Sequence, residues 1–264
     1  MTASLYESLR DRIQASTPVA LATVVRGPQV GSHLVVDRDG SLGTLGHPDL
    51  DRVVARDALG ELEAGRSGTR HYGPAGEARQ EEVSVFIESF AGPPKMVIFG
   101  AVDFTAALMR AAKFLGYHVT VCDARAVFTT RQRFPLADEL VVDWPDRHLA
   151  KVGDTLGPRD AVCVLTHDAK FDIPALQAAL ATPVGYIGAM GSRRTHDSRL
   201  ARLRDAGVAD DDIARVMSPI GLDLGARTPE ETAISICAEI IATRTGRRPP
   251  SLREGSGPIH PPRA

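Results

Sequence analysis

The chain has 264 residues, 43% of them hydrophobic, and a formal net charge of −2 at pH 7. This length accommodates two modest domains or one large one. The near-neutral charge gives no basic excess of the kind that indicates nucleic-acid binding, and no window approaches the roughly 18 uninterrupted apolar residues of a membrane span. Because the N-terminal segment also lacks the apolar core of a signal peptide, we expect a cytoplasmic protein without nucleic-acid or membrane partners.

The three cysteines agree with this expectation. Cys122 and Cys163 lie in apolar, strand-like runs, and Cys237 lies within a helical pattern. Their wide spacing fits no zinc motif, and buried cysteines usually behave as small hydrophobic residues. We therefore predict neither a metal site nor a catalytic thiol at these positions.

The first 90 residues predict a small α+β domain. Its predicted elements are, in order, helix 5–15, strand 18–25, hairpin strands 32–36 and 41–43, a helix from residue 48, and strands 69–72 and 82–88. The turn Asp37-Arg38-Asp39-Gly40 carries the hairpin signal. Together these elements predict a mixed or antiparallel sheet.

Residues 91–94, Ala-Gly-Pro-Pro, form the predicted linker, and the pattern changes after them. The predicted elements that follow are strand 95–100, helix 102–115, strands 118–123, 139–144 and 160–166, helix 173–180, an apolar strand from residue 184 that ends in glycines, and helix 192–206. Apolar strands that alternate with helices predict a doubly wound parallel sheet over residues 95–246. Thr228 and Glu231 form a capping box before a last helix. The Pro- and Arg-rich tail 247–264 is expected to be disordered.

The turn before helix 192–206 is the principal candidate site. An apolar strand leads through glycines into a helix that opens with two arginines. Backbone N–H groups at such a helix N-terminus attract anions, and guanidinium groups add charged donors for phosphate. We predict that Gly188, Gly191, Ser192, Arg193 and Arg194 hold a phosphate group. A tight turn with solvated arginines is the alternative.

The turn Gly100-Ala101-Val102-Asp103 keeps only the first glycine of a dinucleotide-binding fingerprint. Val102 stands where the second glycine would let a pyrophosphate approach the backbone. Asp103 either places a negative charge where the phosphate would bind or caps the following helix. Conventional NAD binding is therefore disfavoured, while Gly100 stays a candidate ligand contact.

Polar side chains also follow two other strands. Asp123 and Arg125 stand where a carboxylate would bind the ribose of a dinucleotide, with a turn or surface ion pair as the alternative. Thr166, His167 and Asp168 combine a hydroxyl, an imidazole and a carboxylate, which suits ligand contacts or proton transfer. We assign His167 and Asp168 as candidate catalytic residues.

A glycine-punctuated loop leads into the last helix. Within it, Gly221, Asp223 and Gly225 form either a second anion-binding surface or a plain connection. Ligands of doubly wound sheets bind outside the carboxyl ends of the strands, so the candidate residues are expected to converge on one crevice. Asp172 is expected to be the N-cap of helix 173–180.

Three segments in this order, Thr166-His167-Asp168, residues 186–194 and residues 219–231, resemble the XdhC/CoxI family, whose members are accessory proteins of xanthine dehydrogenase and related molybdenum hydroxylases. The resemblance implies a small N-terminal domain and a Rossmann-type C-terminal domain. It also implies binding of molybdenum cofactor, support of its maturation, and delivery to the apo-enzyme, with residues 188–194 on the phosphate or nucleotide part. A family member can be labelled a xanthine dehydrogenase without catalysing that oxidation.

Two positions depart from the family pattern. Asp49 stands where the family commonly has the cysteine of a Gly-Gly-Cys-x-Glu motif. A carboxylate is a hard ligand and cannot carry a persulfide, so a thiol-dependent role is not expected, although Asp49 or His47 could contact an oxo-metal centre. At residues 100–103 the family often has Gly-Ala-Gly-His instead of Gly-Ala-Val-Asp.

The leading hypothesis is a cytoplasmic chaperone that binds molybdenum cofactor, in its simple or dinucleotide form, between its two domains. Its partner would be a molybdenum hydroxylase of the xanthine dehydrogenase or CO dehydrogenase type. An NAD(P)-dependent oxidoreductase is the competing enzyme hypothesis, and a non-catalytic subunit or regulator of the hydroxylase is the third. A homodimer would be one way to close a small cleft. The tail pair Ile259-His260 could dock on the crevice or on a neighbouring subunit.

Overall fold

The computed structural model describes residues 3–15, 17–78, 80–166 and 168–246. The chain divides between Pro93 and Pro94 into two compact units. The tail at 247–264, with its Ile-His pair, lies outside the described residues, as does His167. Within the described ranges, none of the helices combines the length and the apolar character needed to cross a membrane.

The N-terminal unit contains an antiparallel sheet. Its elements are α1 (Ala3–Gln14), β1 (Val19–Arg26), β2 (His33–Asp37), β3 (Gly40–Thr44), α2 (Pro48–Ala64), β4 (Gly68–Tyr72) and β5 (Val83–Phe90). The five strands lie in the order β3-β2-β1-β5-β4, and each neighbouring pair is antiparallel. This confirms the α+β class and selects the antiparallel sheet from the two predicted possibilities.

The two faces of this sheet are covered by different helices because side chains alternate along each strand. On one face, Ala22 belongs to a buried cluster with Val54 of α2. On the other face, Leu21 packs in a separate cluster with Leu5 and Leu9 of α1. Strand β1 is therefore buried on both sides, which explains its continuous apolar sequence.

The C-terminal unit is built on a six-stranded sheet. Its elements are β6 (Lys95–Phe99), α3 (Asp103–Phe114), β7 (His118–Cys122), β8 (Glu139–Val141), α4 (Pro145–Val152), β9 (Ala161–Val164), α5 (Ala169–Leu180), β10 (Tyr186–Ala189), α6 (Arg193–Asp205), α7 (Asp210–Ile213), β11 (Val216–Met217) and α8 (Pro229–Thr245). The strands lie in the order β11-β10-β9-β6-β7-β8, and all neighbouring pairs are parallel. Counted from β6, this is the 3-2-1-4-5-6 order of the Rossmann fold, so the predicted class is confirmed.

Helices cover both faces of the parallel sheet. On one face, Ile98 of β6 packs in a buried cluster with Leu108 of α3 and Ile236 of α8. On the other face, Val162 of β9 packs with Leu176 of α5. Full burial of each such side chain stabilises the fold by about 1.5–3 kcal/mol, which accounts for strands that are apolar along their whole length.

Helix α5 begins about one turn earlier than predicted. Asp168, not Asp172, is its N-cap, and the Asp168 side chain accepts a hydrogen bond from the backbone N–H of Lys170. Pro174 lies inside the helix, where a proline removes one backbone hydrogen bond. The prediction placed the helix start at residue 173 because Asp172 is also a residue type that is preferred at the N-cap.

The helices α4 and α7 and the strand β11 are short elements that were not predicted. Strand β8 also ends at Val141 instead of continuing to Trp144, because Trp144 is the N-cap of α4. Strand β11 has two residues and α7 has four, which is too short for a hydrophobic period to be recognised.

Candidate functional site

The strand order of the parallel sheet reverses at β6, which pairs with β7 on one side and with β9 on the other. Ligands of open α/β sheets bind outside the carboxyl ends of the strands at such a reversal. Gly100 follows β6 at this edge, and Thr166 lies just beyond the end of β9. The predicted site residues of the C-terminal unit are distributed along the same edge.

Gly100 and Thr166 are brought into direct contact. Gly100 has φ +108°, and a Cβ added there would lie 2.9 Å from Cγ2 and 3.1 Å from the backbone nitrogen of Thr166. The buried hydroxyl of Thr166 donates to the carboxylate of Asp172, and the hydroxyl of Thr105 donates to the carbonyl of Gly100. Protein atoms therefore fill the floor of the crevice at this point.

Asp123 is buried, and both of its carboxylate oxygens are used inside the protein. Oδ2 accepts from the backbone N–H of Ala101 at 2.8 Å and from Nη2 of Arg125 at 2.8 Å. Oδ1 accepts from the backbone nitrogen and Nε of Arg125, both at 2.9 Å. Burial alone would raise the pKa of Asp123, but these hydrogen bonds outweigh it and hold the pKa below its ordinary value. To bind a ribose, Asp123 would have to give up bonds that stabilise the turn after β6.

The same turn is covered by an arginine that the sequence analysis did not single out. Nη1 of Arg133 donates to the carbonyl of Ala101 at 2.8 Å, and Nη2 lies 3.3 Å from Oδ1 of Asp103. Val102 occupies the N-cap of α3 without a side-chain hydrogen bond, so Asp103 does not cap that helix. Instead, the Asp103 side chain is 92% exposed and pairs with Arg133.

The turn after β10 has a different organisation. Ser192 is the N-cap of α6, and its hydroxyl accepts the backbone N–H of Thr195 at 3.1 Å, as the predicted helix start requires. A Cβ on Gly191 would lie 3.1 Å from the side chain of Thr195, so this glycine permits a close approach. Arg193 and Arg194 follow, both exposed and without a hydrogen bond or ion pair to any other described residue.

A groove of about 310 Å³ separates α6 from the first turn of α5. From α6 it is lined by Arg194, Thr195, Ser198, Arg199 and Arg202. From α5 it is lined by Ala169, Asp172 and Ile173. The α6 residues recur every three or four positions and so share one side of the helix. Arg193 is not part of this lining, so the two predicted arginines lie on different sides of α6.

Arg199 is a buried residue of the groove lining, and it forms hydrogen bonds with several neighbouring segments. It is 3% exposed, and its Nη2 donates to Oδ2 of Asp172 at 2.9 Å and to the carbonyl of Met190 at 2.8 Å. Its Nη1 donates to the hydroxyl of Ser218 at 2.9 Å. Arg199 thereby connects α5, α6, the end of β10 and the segment after β11. Because it also compensates the charge of Asp172, the charge that remains uncompensated among the described lining residues is positive and comes from Arg194 and Arg202.

Two of the predicted phosphate-binding glycines have a packing role. A Cβ on Gly188 would collide with the side chain of Ile220, and a Cβ on Gly221 would meet the hydroxyl of Ser235. Gly221 also donates its backbone N–H at 2.8 Å to Glu239, which accepts the hydroxyl of Tyr186 at 2.6 Å. These contacts attach the glycine loop to α8.

The remaining predicted residues lie at the surface. Asp223 and Gly225 are exposed in the loop before α8, and neither lines the groove. The carboxylate of Asp168 lies 3.5 Å from Nζ of Lys170, and the Asp168 side chain stays accessible. Asp168 is thus the N-cap of α5, and its carboxylate is exposed to solvent.

In the N-terminal unit, His47 is the N-cap of α2, and its Nδ1 accepts the backbone N–H of Asp49 at 3.2 Å. Asp49 itself is exposed and lies 3.1 Å from Nη2 of Arg52. Across the described residues, no three His, Cys, Asp or Glu side chains are grouped so that they could hold a metal ion.

All three cysteines are buried. Burial raises the pKa of Cys122 to about 12 and that of Cys237 to about 11, and it also raises the pKa of Cys163. The thiolate is the reactive form of cysteine, so none of the three is prepared for nucleophilic or persulfide chemistry near pH 7.

Comparison with protein families gives the same assignment as the strand order. The sequence profile of the XdhC Rossmann domain matches residues 96–240, which is more than half of the chain. The profile of the XdhC and CoxI family matches residues 12–73. The chain belongs to the XdhC/CoxI family. The family that the three sequence motifs indicated is confirmed, and so is the prediction of a Rossmann-type C-terminal unit.

Among curated relatives, this XdhC/CoxI member is 29% identical over 248 residues to the uncharacterized protein YqeB of Escherichia coli K12, covering 88% of this chain and 44% of YqeB. It is 32% identical over 164 residues to a probable xanthine dehydrogenase subunit of Bacillus subtilis 168, covering 62% of this chain and 47% of the relative. It is 37% identical over 84 residues to the molybdenum cofactor insertion chaperone PaoD of Escherichia coli K12, covering 32% of this chain and 26% of PaoD. The chain therefore spans less than half the length of each of these relatives.

Among solved structures, a crystal structure named as a xanthine dehydrogenase from Bacillus halodurans superposes with a TM-score of 0.64 at 25% sequence identity. The superposition covers 92% of this chain and 67% of the other. The XdhC/CoxI chain thus resembles it over nearly all of its own length.

Proposed function

We propose that this protein is an accessory protein of a molybdenum hydroxylase and binds the phosphate-bearing end of molybdenum cofactor in the groove between α5 and α6. The observation that carries the proposal is the pair Arg194 and Arg202, two groove-lining guanidinium groups that no other described residue neutralises. The accessory role is supported by the relatives named as a cofactor insertion chaperone and as a dehydrogenase subunit.

The charges and donors of the groove fit a phosphate. Arginine forks match the geometry of phosphate oxygens, and the hydroxyls of Thr195 and Ser198 add neutral donors on the same side of α6. The N-terminus of α5 at Ala169 borders the groove and contributes the partial positive charge of a helix end. Among the described residues that line the groove, Asp172 alone has a carboxylate, and it is already paired with Arg199.

The size of the groove limits what it can hold. Its volume of about 310 Å³ is at the lower end of the roughly 300–1,000 Å³ of small-molecule sites. In our proposal the groove takes only the phosphate-bearing end, in the simple or the dinucleotide form, and the rest of the cofactor lies outside it. When bound, the cofactor supplies the metal–dithiolene centre, while the residues of this chain bind and orient it.

The other predicted residues take two kinds of role in this proposal. Ser192, Arg193 and Asp168 do not line the groove but lie close to its lining residues in the chain, and they remain proposed contacts to the ligand, together with His167. By contrast, Gly100, Thr166, Asp123, Arg125, Gly188 and Gly221 use their polar atoms or their missing side chains inside the protein. We therefore assign them to shaping the sheet edge, and Asp223 and Gly225 to the adjoining loop.

The competing hypothesis of an NAD(P)-dependent oxidoreductase finds less support. Its pyrophosphate would have to bind the turn after β6, where Val102 replaces a glycine and the N–H of Ala101 donates to Asp123. Its ribose would need the carboxylate of Asp123, which already accepts four hydrogen bonds. A cofactor chaperone needs neither interaction.

The proposal is tested by cofactor retention. The full chain is incubated anaerobically with molybdenum cofactor released from a molybdoenzyme, and molybdenum and pterin fluorescence are measured in the protein fraction after gel filtration. We expect retention by the wild type and at least a tenfold loss of affinity in Arg194→Ala/Arg202→Ala, because a hydrogen bond to a charged group contributes about 1.5–3 kcal/mol.

The matched control is Arg204→Ala, since Arg204 lies on the same helix and pairs with Asp210 outside the groove. We expect this variant to retain the cofactor as the wild type does. No retention by the wild type, or binding of NADPH with hydride transfer instead, would contradict the proposed function. Equal retention by all three proteins would contradict the groove as its site.

A further inference from the structure

The outer face of α8 carries an apolar stripe. Ile234 is 58% exposed and Ile241 is 40% exposed, with the half-buried Ala238 between them. A spacing of four and then three residues places these side chains on one side of the helix. The opposite side is buried in the core through Ile236 and Ile240.

A helix with this distribution is unusual at a surface. Surface helices normally have a polar outer face, whereas a helix that is apolar all round is normally buried. Here, the sheet covers one side of α8, and the described residues leave Ile234 and Ile241 open to solvent. The composition of α8 therefore indicates that a second surface covers it.

Helix α3 extends this face. It packs beside α8, and Nη2 of Arg110 lies 3.0 Å from Oε1 of Glu230 across the two helices. One turn further along α3, Phe114 is 91% exposed, more than any other large hydrophobic residue in the described ranges. The Arg110–Glu230 pair thus joins two outer faces that each carry exposed apolar side chains.

The order of the charges on α8 fits an antiparallel copy of the same helix. Its first turn carries Glu230, which pairs with Arg110, and Glu231, which completes the capping box, and its last turn carries Arg244. Ile234 lies four residues before Ala238 and Ile241 lies three residues after it. If two copies cross at Ala238, Ile234 packs against the partner's Ile241, and the acidic first turn faces the partner's Arg244. Each copy then offers the same patch, as a two-fold interface requires.

We propose that α8, together with the end of α3, forms the interface of a two-fold homodimer. A stable interface covers about 800 Å² on each partner, more than a single helix stripe offers, which is why the face includes Phe114 of α3. The small side chain of Ala238 at the crossing lets the two α8 helices approach closely. This proposal concerns assembly and does not depend on the cofactor-binding role.

Sedimentation velocity of the full chain from about 1 to 100 µM tests the proposal. We expect the wild type to sediment with twice the mass of one chain. For Ile234→Glu/Ile241→Glu we expect a dimer dissociation constant at least tenfold higher than that of the wild type, because the new charges would be buried at the interface. The control Val30→Glu changes an exposed apolar residue of the N-terminal unit and should leave the dimer intact. Circular dichroism checks that each variant is folded.

A cross-link tests the antiparallel geometry. In Ala238→Cys, the two new thiols lie near the two-fold axis, so mild oxidation should give a disulfide-linked dimer on a non-reducing gel. The native cysteines are buried, so the wild type should give none. A wild type that stays monomeric over the whole concentration range would overturn the proposal. So would a dimer that the glutamate substitutions do not dissociate and that Ala238→Cys does not cross-link.

Discussion

The turns that follow β6 and β10 both lead from a parallel strand into a helix at the same edge of the sheet, and both contain a glycine. A buried charged side chain forms hydrogen bonds with the backbone of each turn, Asp123 in the first case and Arg199 in the second. The first turn is then covered from above by Arg133, which binds the carbonyl of Ala101. The second leaves Arg194 without a described partner beside an open groove.

This difference shows what makes a strand end available to a ligand. The number of glycines does not decide it, because Gly100 and Gly188 both make room for protein side chains. Availability depends on which charged groups remain after the internal hydrogen bonds have been formed. At the β6 turn, the protein uses its own polar groups, whereas at the α6 turn the buried pair Arg199–Asp172 leaves the surface arginines free.

The largest expected effect comes from removing the support of the α6 turn. We expect Arg199→Ala to lower the free energy of unfolding of the C-terminal unit by about 3–5 kcal/mol, because the buried carboxylate of Asp172 loses its only described cationic partner and keeps just the hydrogen bond from Thr166. The chain's single tryptophan, Trp144, packs against Phe171 in this unit, so urea unfolding can be followed by its fluorescence.

The double variant Arg199→Met/Asp172→Leu serves as the control for this experiment. It removes both charges together, and replacing a buried ion pair by apolar side chains is often close to neutral. We therefore expect it to recover most of the lost stability. A loss below about 1 kcal/mol in Arg199→Ala would show that Arg199 does not support the turn as described.

The next effect concerns the close contact at the β6 turn. We expect Gly100→Ala to cost about 2–4 kcal/mol, because an L side chain is strained at positive φ and the new Cβ would crowd Thr166. Gly116→Ala is the matched control, since Gly116 has φ +82° with no atom within 4 Å of an added Cβ. Gly116→Ala should lower the free energy of unfolding only through the backbone strain at positive φ, by about 1–2 kcal/mol. Equal losses in urea unfolding would contradict the contact between Gly100 and Thr166.

A smaller effect should appear in the pH dependence of the β6 turn. Because the pKa of Asp123 is held below its ordinary value, its ionised form adds stability above the unfolded pKa of about 3.9, and this stability is lost as pH falls through the folded pKa. Asp123→Asn should therefore be less stable than the wild type near pH 7, and the difference should shrink below about pH 4. Asp103→Asn, at an exposed position, should show almost no difference at any pH. If the difference in stability between the wild type and Asp123→Asn stays constant with pH, the ionisation of Asp123 does not contribute to stability as described.

The fold was largely predictable because its signals are local. Apolar runs bounded by glycines gave the longer strands. The helical pattern from Ser192 and the capping box at Thr228 gave two helix starts that the structure confirms. The failures also have local causes. The first turn of α5 was missed because Asp172 is as suitable an N-cap residue as Asp168, and β11 is too short to show an alternating pattern.

The site was less predictable because it depends on contacts between distant residues. Arg194 could be found from its position at a helix start, whereas Arg199 and Arg202 appear in the sequence only as polar positions of α6. The bond from Arg133 to Ala101 spans 32 residues, and the bond from Tyr186 to Glu239 spans 53. Sequence patterns identify which groups can form hydrogen bonds, but the tertiary structure decides which of them are used internally.

Calorimetric titration with inorganic pyrophosphate measures whether the groove between α5 and α6 binds an anion. At one fixed ionic strength, the wild type, Arg194→Ala/Arg202→Ala and Arg204→Ala are compared as full chains. We predict that the wild type and Arg204→Ala bind with the same Kd and that the double variant binds at least about tenfold more weakly, because two charged donors to the anion are lost. Absence of binding to the wild type, or the same Kd for all three proteins, would contradict this account.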